Sequence, residues 1–316
     1  MEDKNYPSVA LGTWAWGTGL VGGDQVFGNS FTSEQLKPVF DAAIDAELNL
    51  WDTATVYGMG ASEDILGEFV KQHNRKDLII STKFTPQIAQ TDADNAVELM
   101  LEASLKRLGT NYVDIYWIHN PADVEKWTPQ LIPLLKSGKV KNVGVSNHNL
   151  AELKRAEDIL SAEDYHVSAV QNHYSLLYRS SERAGILDYC KEHGMKFFAY
   201  MVLEQGALSG KYDTHNPLPA GSMRGETYNN QLPLIENLVN AMRTIGEKYK
   251  ASVAQVAIAW AIAKGTTPLV GATKPHHVTE AAAAANIKLT TEEMQQLETL
   301  AGESGAKTRG SWEHEM

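Results

Sequence analysis

The sequence has a single cysteine, no excess of basic charge and no long apolar run. Because Cys190 is alone among 316 residues, no disulfide can form within the chain, which indicates a reducing compartment. The net charge of −11 argues against nucleic acids and anionic membranes as partners. No apolar stretch reaches about 18 residues, and the N-terminal residues lack the basic-then-apolar order of a targeting signal. We therefore expect a cytoplasmic protein.

Motifs of several other chemistries are also missing. H-E-x-x-H and clustered cysteines do not occur, and the adjacent His276 and His277 are poorly spaced for ligation from one helix face, so no metal site is indicated. G-x-S-x-G and Walker motifs are absent as well. Residues 17–22 (GTGLVG) match G-x-G-x-x-G, but more glycines and no helical periodicity follow them. We interpret this segment as a flexible loop rather than a dinucleotide fingerprint.

Strand-like apolar runs alternate with segments of helical periodicity along most of the chain. Continuous apolar strands are typical of a parallel sheet that helices cover on both faces. Eight such units favour an α/β fold closed into a (β/α)8 TIM barrel over an open, doubly wound sheet. The predicted strands span residues 9–12, 49–52, 78–83, 113–118, 140–145, 167–171, 196–200 and 268–271, and the helices that follow them span 33–48, 62–72, 95–108, 128–137, 149–160, 181–193, 252–264 and 276–285.

Some segments lie outside this repeating pattern. Two extra helices are predicted at about 234–249 and 291–301. Residues 201–233 are rich in Gly, Pro and Asn, and a loop of that length is usually functional or disordered. Residues 302–316 have the character of a frayed tail, and Ser33 is the expected N-cap of the first predicted helix. We expect residues 1–316 to form one barrel domain.

Four polar side chains stand at or just past the ends of the early predicted strands. Asp52 ends the second strand, and Tyr57 follows it in the same loop. Lys83 ends the third strand, and His119 directly follows the fourth. In a barrel the carboxyl ends of the strands meet on one rim, where active sites are built. We call these four residues the rim tetrad and expect them to form a proton-handling cluster.

The sequences around the rim tetrad resemble those of the aldo-keto reductase family. The matching segments are residues 52–63 (DTATVYGMGASE), 81–83 (STK) and 118–121 (IHNP), and further matches continue in order along the chain. The resemblance implies an NADP(H)-dependent oxidoreductase that reduces an aldehyde or ketone to an alcohol, or catalyses the reverse. Its partner would be a small carbonyl or alcohol substrate, and the resemblance leaves the oligomeric state open.

The resemblance also implies a role for each member of the tetrad. Tyr57 would be the general acid, and His119 would hydrogen-bond and orient the substrate oxygen. Tyrosine is a reluctant acid with a pKa of about 10, but an ammonium at about 4 Å favours the phenolate by roughly 4 kcal/mol. Lys83 would supply that ammonium, and Asp52 would keep it charged and aimed.

A cofactor site spread over the rim is implied as well. The residues that match it are Gly12, Thr13, Trp14 and Asp52 near the nicotinamide, Ser146, Asn147 and Gln171 at its carboxamide, Tyr200 stacked on its ring, Met201, Val202, Leu203, Gln205, Gly206 and Lys211 around the pyrophosphate, and Gly271, Thr273, Lys274, His277 and Glu280 at the adenosine end.

The chain departs from the family pattern at both ends of this cofactor site. Met201 and Val202 stand where the family usually has Ser-Pro, His277 where arginine is commoner, and Ala281 where asparagine is usual. Lys274 with a partly charged histidine is a weaker clamp for a 2′-phosphate than lysine with arginine. We expect NADP(H) as the cofactor, with a preference that is relaxed toward NAD(H).

The substrate is less well defined by the sequence. Trp16, Trp117 and Asn120 are candidate substrate contacts near the rim, and aromatic side chains there suit a flat or apolar carbonyl compound. Trp117 has the same strand parity as His119 and should face inward, with core packing as the alternative role.

Two other functions remain open at this point. A cofactor-binding regulatory subunit of the potassium-channel β-subunit type, with weak turnover, would have the same barrel. A Schiff-base lyase could use Lys83 as its nucleophile, but such a lysine needs a lowered pKa, and Asp52 would raise it.

Overall fold

The computed structural model describes residues 6–313 and 315–316. Its strands are all parallel and pair in chain order, and β8 returns to β1 to close the barrel. The (β/α)8 fold class is therefore confirmed. The strands are β1 Ala10–Gly12, β2 Leu50–Asp52, β3 Ile79–Phe84, β4 Val113–Ile118, β5 Val140–Ser146, β6 Val167–His173, β7 Lys196–Tyr200 and β8 Thr267–Gly271.

Helices connect the strands and cover the outside of the barrel. None of those in the described part of the chain is long and apolar enough to cross a lipid bilayer. The helices are α1 Gly23–Phe27, α2 Ser33–Asp45, α3 Ala61–Val70, α4 Ala96–Leu108, α5 Val124–Trp127, α6 Ile132–Lys136, α7 Leu150–Ser161, α8 Ser180–Arg183, α9 Ile186–Glu192, α10 Met223–Tyr228, α11 Leu232–Tyr249, α12 Val253–Ala263, α13 Pro275–Ala284 and α14 Thr291–Glu303.

The two extra helices predicted from the sequence are present as α11 and α14, whereas two predicted helices are interrupted. In place of the helix predicted at 128–137 the chain forms a 3-10 turn at Thr128–Leu131 followed by α6, because Pro129 and Pro133 each remove a backbone donor. The prediction at 181–193 is divided by Gly185, which adopts the left-handed backbone conformation at φ 77°. Within 201–233, the chain is ordered and includes the unpredicted helix α10.

The start of α2 corrects one prediction. Thr32, rather than Ser33, is the N-cap, and its hydroxyl accepts a hydrogen bond from the backbone N–H of Gln35. The Gln35 side chain accepts one in return from the Thr32 backbone N–H, which completes a capping box. If Ser33 were the N-cap, Gln35 would stand one position too early for a capping box.

The G-x-G-x-x-G segment is also followed by a helix after all, since α1 begins at Gly23. Its nearby backbone donors are already satisfied within the loop. Gly23 N–H donates to the Gly17 carbonyl at 2.6 Å, and Gly19 N–H donates to the Asp24 carboxylate at 2.9 Å. A phosphate needs free donors without a competing anion, so this geometry does not suit a dinucleotide pyrophosphate.

The barrel interior is filled by a small apolar cluster in which Trp117 is the largest member. The cluster consists of Ala10, Leu50, Ile79, Ile115, Trp117, Ala169 and Phe198. Gly144 on the neighbouring strand makes room for the indole, because a Cβ at Gly144 would lie 2.3 Å from the Trp117 ring. Trp117 thus faces inward, as its parity predicts, and it packs in the core.

Candidate active site

The strand register brings three members of the rim tetrad to one end of the barrel. Asp52, the last residue of β2, pairs with Ser81 of β3, and Lys83 of β3 pairs with Trp117 of β4. His119 follows β4 directly, and its backbone N–H donates to the Phe84 carbonyl at 2.8 Å. These pairings put the acid, the amine and the imidazole on the carboxyl rim, as the sequence indicates.

Lys83 and Asp52 form a fully buried ion pair at the centre of the site. The Lys83 ammonium also donates to the Thr53 carbonyl at 2.8 Å and to the Tyr57 hydroxyl at 3.4 Å. The second Asp52 oxygen accepts from the Ser81 hydroxyl at 2.6 Å and from the Gln171 amide at 3.2 Å. The Asp52 carboxylate is thus surrounded by hydrogen-bond donors, and its attraction keeps the Lys83 ammonium charged.

Burial and charge act in opposite directions on this ammonium. Burial lowers the pKa of Lys83, but the attraction of Asp52 outweighs it, so the Lys83 pKa lies above its ordinary value. For Tyr57 burial is the larger effect and raises the pKa, although the Lys83 ammonium lowers it in part. From the sequence we expected the Lys83 ammonium to favour the phenolate. In this site the phenol of Tyr57 remains the stable form, and Lys83 only limits how far burial raises its pKa.

His119 is a neutral imidazole in this environment. Its burial, and then the nearby Lys83 ammonium, hold its pKa well below the ordinary range. The Nδ1 atom lies 2.8 Å from the Thr85 hydroxyl, and the ring meets that of Tyr57 edge-on at 6.1 Å between centroids. With Nδ1 engaged by Thr85, Nε2 is the ring nitrogen that is left to face a substrate.

An aromatic cluster centred on Trp14 lies against the phenol of Tyr57. Trp14 is stacked on it, with 5.7 Å between ring centroids and a 20° angle between planes. Phe27 and Trp312 both meet the Trp14 ring edge-on, at 5.4 Å and 5.9 Å. Trp312 comes from the C-terminal segment, so the expectation of a frayed tail is wrong for residues that pack here.

The other candidate substrate contacts are placed differently from one another. Asn120 stays on the rim, where its side-chain amide exchanges two hydrogen bonds with that of Gln87, at 2.7 Å and 2.8 Å. Trp16 is fully buried outside the barrel, and its indole N–H donates to the Ala272 carbonyl at 2.7 Å. Trp16 and Trp117 therefore both have packing roles that account for their positions.

The side chains expected at the nicotinamide are brought together at the ends of β5, β6 and β7. Asn147 donates to the His119 carbonyl at 2.9 Å and to the Ser146 hydroxyl at 3.3 Å. The Asn147 amide oxygen lies 2.6 Å from the Tyr200 hydroxyl, and Gln171 is held by Asp52. On the other side Thr13 donates to the Asp52 carbonyl at 3.3 Å. Together with Gly12, which ends β1, these residues line one continuous rim next to the tetrad.

The segment after Tyr200 forms a tight loop with an uncommon backbone. Met201, Glu204 and Gln205 have positive φ values of 57°, 46° and 51°, and Gly206 has 107°. Within this loop Val202 is buried and Leu203 is half-buried. Non-glycine residues adopt this conformation only where the surroundings enforce it, and such strain is found most often at binding sites.

Arg224 of α10 lies under this loop and was not among the predicted site residues. Its guanidinium donates to the Gln205 carbonyl at 3.1 Å and to the Tyr212 hydroxyl at 3.4 Å. Its Nε is buried without a hydrogen-bond partner among the described residues. An unpaired donor on a buried cation is costly, and an anion bound at the loop would satisfy it.

The adenosine end is organised around the first turn of α13. Lys274 is the N-cap of this helix, Gly271 is exposed at the end of β8, and the Thr273 backbone N–H donates to Nδ1 of His277 at 3.2 Å. Burial, followed by the charges of His276, Lys274 and Lys211, lowers the pKa of His277 to about 4.

The His277 imidazole is therefore neutral at physiological pH and cannot be the partly charged half of a phosphate clamp. Another cation, Lys211, is close enough to act on the same imidazole. Glu280 is held within the fold, where its carboxylate accepts from the Ser252 hydroxyl at 3.3 Å.

Comparisons with known proteins identify the family of this chain. The sequence model of the Aldo/keto reductase family matches residues 8–301. The chain belongs to the aldo/keto reductase family. Its relatives include the chloroplastic pyridoxal reductase of Arabidopsis thaliana, which is 32% identical in an alignment of 319 residues that covers 96% of this chain and 86% of that protein. The NADP(+) aldo-keto reductase yakc of Schizosaccharomyces pombe is 29% identical in an alignment of 293 residues that covers 87% of this chain and 84% of that protein.

Solved structures of aldo-keto reductases share the fold. A glycerol dehydrogenase from Gluconobacter oxydans has a TM-score of 0.82 and 25% identity, covering 98% of this chain and 95% of that chain. An aldo-keto reductase from Klebsiella pneumoniae in complex with NADPH has a TM-score of 0.72 and 26% identity, covering 94% and 91%. Membership of the aldo/keto reductase family makes this chain an oxidoreductase.

Some candidate site residues that were not predicted could have been found from the sequence. Arg224 is the only arginine between residues 201 and 233, a long Gly-rich segment of the kind that often binds anions. Thr85, two residues past Lys83, could have been expected near His119 from the strand register alone. Nothing local in the sequence indicates that Trp312 reaches Trp14, since the two are almost a chain length apart.

Proposed function

We propose that this aldo/keto reductase reduces a planar carbonyl compound with NADPH, using Tyr57 as the general acid. The observation that carries the proposal is the tetrad geometry, in which the Tyr57 hydroxyl lies 3.4 Å from a buried Lys83 ammonium. Asp52 keeps that ammonium charged, and neutral His119 lies beside the phenol ring. These contacts support one proton donor and one neutral hydrogen-bond donor for a single carbonyl oxygen.

The bound nicotinamide would supply the hydride that reduces the carbonyl carbon. Tyr57 gives its proton to the carbonyl oxygen, and Lys83 stabilises the phenolate that is left. Since burial raises the pKa of Tyr57, the phenol stays protonated until the substrate is in place. His119 holds the oxygen through Nε2, the ring nitrogen that Thr85 leaves free, in the tautomer that carries its proton there.

The residues present fit an NADP(H) molecule. Arg224 has a buried, unpaired donor beside the strained loop, which suits a pyrophosphate. Lys274 at the N-terminus of α13, with Lys211 nearby, suits the 2′-phosphate, because the helix end and both ammonium groups favour an anion. Two lysines restore the clamp that neutral His277 cannot complete, so we propose a clear preference for NADPH over NADH.

The aromatic rings around Tyr57 support a planar substrate. Trp14 stacks on the phenol, and Phe27 and Trp312 both pack perpendicular to the Trp14 ring. Flat aromatic molecules pack well against such faces and edges. The Arabidopsis relative is named a pyridoxal reductase, and pyridoxal is a planar aromatic aldehyde. We therefore propose aromatic aldehydes as the substrate class.

The proposal is tested by following NADPH and NADH oxidation with a panel of aldehydes. Pyridoxal and nitrobenzaldehyde represent planar substrates, and glyceraldehyde is an open-chain polar control. We expect oxidation of NADPH with both aromatic aldehydes, at a kcat/KM well above that for glyceraldehyde, and a higher KM for NADH.

Two results would contradict the proposal in different ways. Tight NADPH binding without turnover on any aldehyde would favour the regulatory-subunit alternative. A borohydride-trapped adduct on Lys83 would favour the Schiff-base lyase, although the raised Lys83 pKa argues against a nucleophilic amine.

A further inference from the structure

A second cluster of ionisable side chains lies behind the candidate nicotinamide subsite and has no part in the proposed reaction. His173, the last residue of β6, is fully buried between two carboxylates. Its Nε2 lies 2.9 Å from Oε1 of Glu204, and its Nδ1 lies 2.9 Å from Oε1 of Glu313. The attraction of these two carboxylates raises the pKa of His173 well above its ordinary value, so the imidazole carries a proton on both ring nitrogens and is positively charged at neutral pH. We call these three residues the buried triad.

The first arm of the triad holds the loop that we assign to the pyrophosphate. Glu204 stands in this loop at φ 46°, in the left-handed region that a non-glycine residue rarely adopts. Its carboxylate is fully buried and accepts from four side chains, those of His173, Ser175, Tyr228 and Thr308. This anchoring offsets the cost of the strained backbone and keeps the loop in one conformation.

The centre of the triad supports the ring that we assign to the nicotinamide. The His173 imidazole is stacked on Tyr200, with 5.5 Å between centroids and 26° between planes. The same imidazole is also stacked on Tyr178, with 4.2 Å between centroids. Packing of this kind leaves Tyr200 little freedom to turn away from the rim.

The second arm brings in the C-terminal segment. Glu313 is buried, and besides His173 it contacts the Tyr200 hydroxyl at 2.8 Å and the Gly310 backbone N–H at 3.2 Å. Next to it, the Trp312 indole N–H donates to the Tyr200 hydroxyl at 3.3 Å. The Glu313 carboxylate therefore ties the C-terminal segment to Tyr200 directly and, through His173, to the loop that carries Glu204.

We propose that His173, held by Glu204 and Glu313, is a positioning residue for the cofactor. It fixes Tyr200 and the pyrophosphate loop together and fastens the C-terminal segment across them. This inference rests on the proposed NADPH-dependent function. Because a preformed site loses less entropy on binding, the triad should act on NADPH affinity rather than on the chemical step.

The charge of the triad allows a second measurement, the pH dependence of NADPH binding. Burial disfavours the imidazolium, but the two carboxylates outweigh this effect and raise the pKa of His173 to about 9. The phenols of Tyr178, Tyr200 and Tyr228 also face the triad, and burial raises the pKa of each of them above the ordinary value. The imidazole is thus the first of these groups to lose its proton as pH rises from neutrality.

The test is the Kd for NADPH, measured by isothermal titration calorimetry on the full chain. His173→Gln and Glu313→Gln should each raise this Kd about tenfold, the effect of losing one buried charge-assisted hydrogen bond. In the double variant the rise should be smaller than the product of the single rises, because both residues act in one network. The kcat at saturating NADPH should stay within about threefold of wild type.

Two exposed residues provide matched controls, since His193→Gln and Glu315→Gln make the same chemical changes outside the triad. Both should bind NADPH as wild type does. In wild type, affinity should fall as pH rises through about 9, and His173→Gln should lack this dependence. If His173→Gln does not fold, the Kd for NADPH of Glu313→Gln, on the C-terminal segment, is the deciding measurement.

Unchanged Kd values in the triad variants, or the same pH dependence in His173→Gln, would overturn the inference. Failure of wild type to bind NADPH would instead overturn the proposed function. The two failures are therefore distinguishable in one set of titrations.

Discussion

Replacing Asp52 with asparagine should destabilise the fold and stop turnover together. In the Asp52→Asn variant, Oδ1 can still accept from Ser81 and Gln171, but an amide N–H₂ would face the Lys83 ammonium, donor against donor. Removing one partner of a fully buried ion pair costs about 3–5 kcal/mol. That is a large part of a typical unfolding free energy of about 5–15 kcal/mol.

The pH dependence of this loss follows from the same argument. With its counter-ion removed, buried Lys83 loses its proton more easily in the folded state than in the unfolded state. The unfolded chain then binds more protons, so the stability of the variant should rise with pH toward about 10, relative to wild type. Turnover should fall by at least about 10²-fold, because the charged group that assists Tyr57 is lost.

Urea unfolding and NADPH turnover would be measured on three variants. Asp52→Asn/Lys83→Met should recover most of the lost stability, since no buried charge remains, but none of the activity. Asp41→Asn is the matched control: Asp41 pairs with Lys37 on the surface at 47% and 51% side-chain exposure, and its loss should cost under about 1 kcal/mol. An Asp52→Asn variant as stable as Asp41→Asn would refute the reasoning.

Three further variants test the cofactor end and the triad. Lys274→Ala should raise the KM for NADPH by roughly ten- to a hundredfold and should change the KM for NADH little. The control Lys288→Ala, at an exposed lysine, should change neither KM. Equal effects of Lys274→Ala on both cofactors would contradict the assignment of Lys274 to the 2′-phosphate. Arg224→Gln should raise the Kd for NADPH and NADH alike, since both carry the pyrophosphate, with exposed Arg243→Gln as its control. Because the folded-state pKa of His173 is about 9 and its ordinary value is 6.5, the triad should contribute about 3 kcal/mol of stability. This contribution is fully present below about pH 6.5 and lost as pH rises through about 9, so unfolding free energies measured across that range should fall in wild type and stay flatter in His173→Gln.

The rim tetrad could be predicted because its information is local. Each strand is a continuous apolar run, and Asp52, Lys83 and His119 are the polar residues at which those runs end. The parallel register then fixes their neighbours, as the pairing of Asp52 with Ser81 illustrates. The barrel followed from the number of such units and from the apolar character of both strand faces.

The features that the sequence did not reveal depend on distant contacts or on burial. Glu313 lies 140 residues from His173, and no periodicity marks the terminal segment that carries it. The loss of charge at His277 comes from burial and from neighbouring cations that only the fold brings near. Trp16 shows the same limit, since its indole is buried against the Ala272 carbonyl although its sequence position is close to the rim.

The most direct test of the central claim is the rate of a single turnover by Tyr57→Phe. The preformed NADPH complex would be mixed rapidly with an aromatic aldehyde, and loss of the reduced nicotinamide would be followed with time. The account predicts normal NADPH affinity and a rate lower than wild type by about 10²–10⁴-fold. Tyr165→Phe, before β6 at the other end of the barrel, should react as wild type does. A Tyr57→Phe rate equal to that of wild type would contradict the assignment of Tyr57 as the general acid.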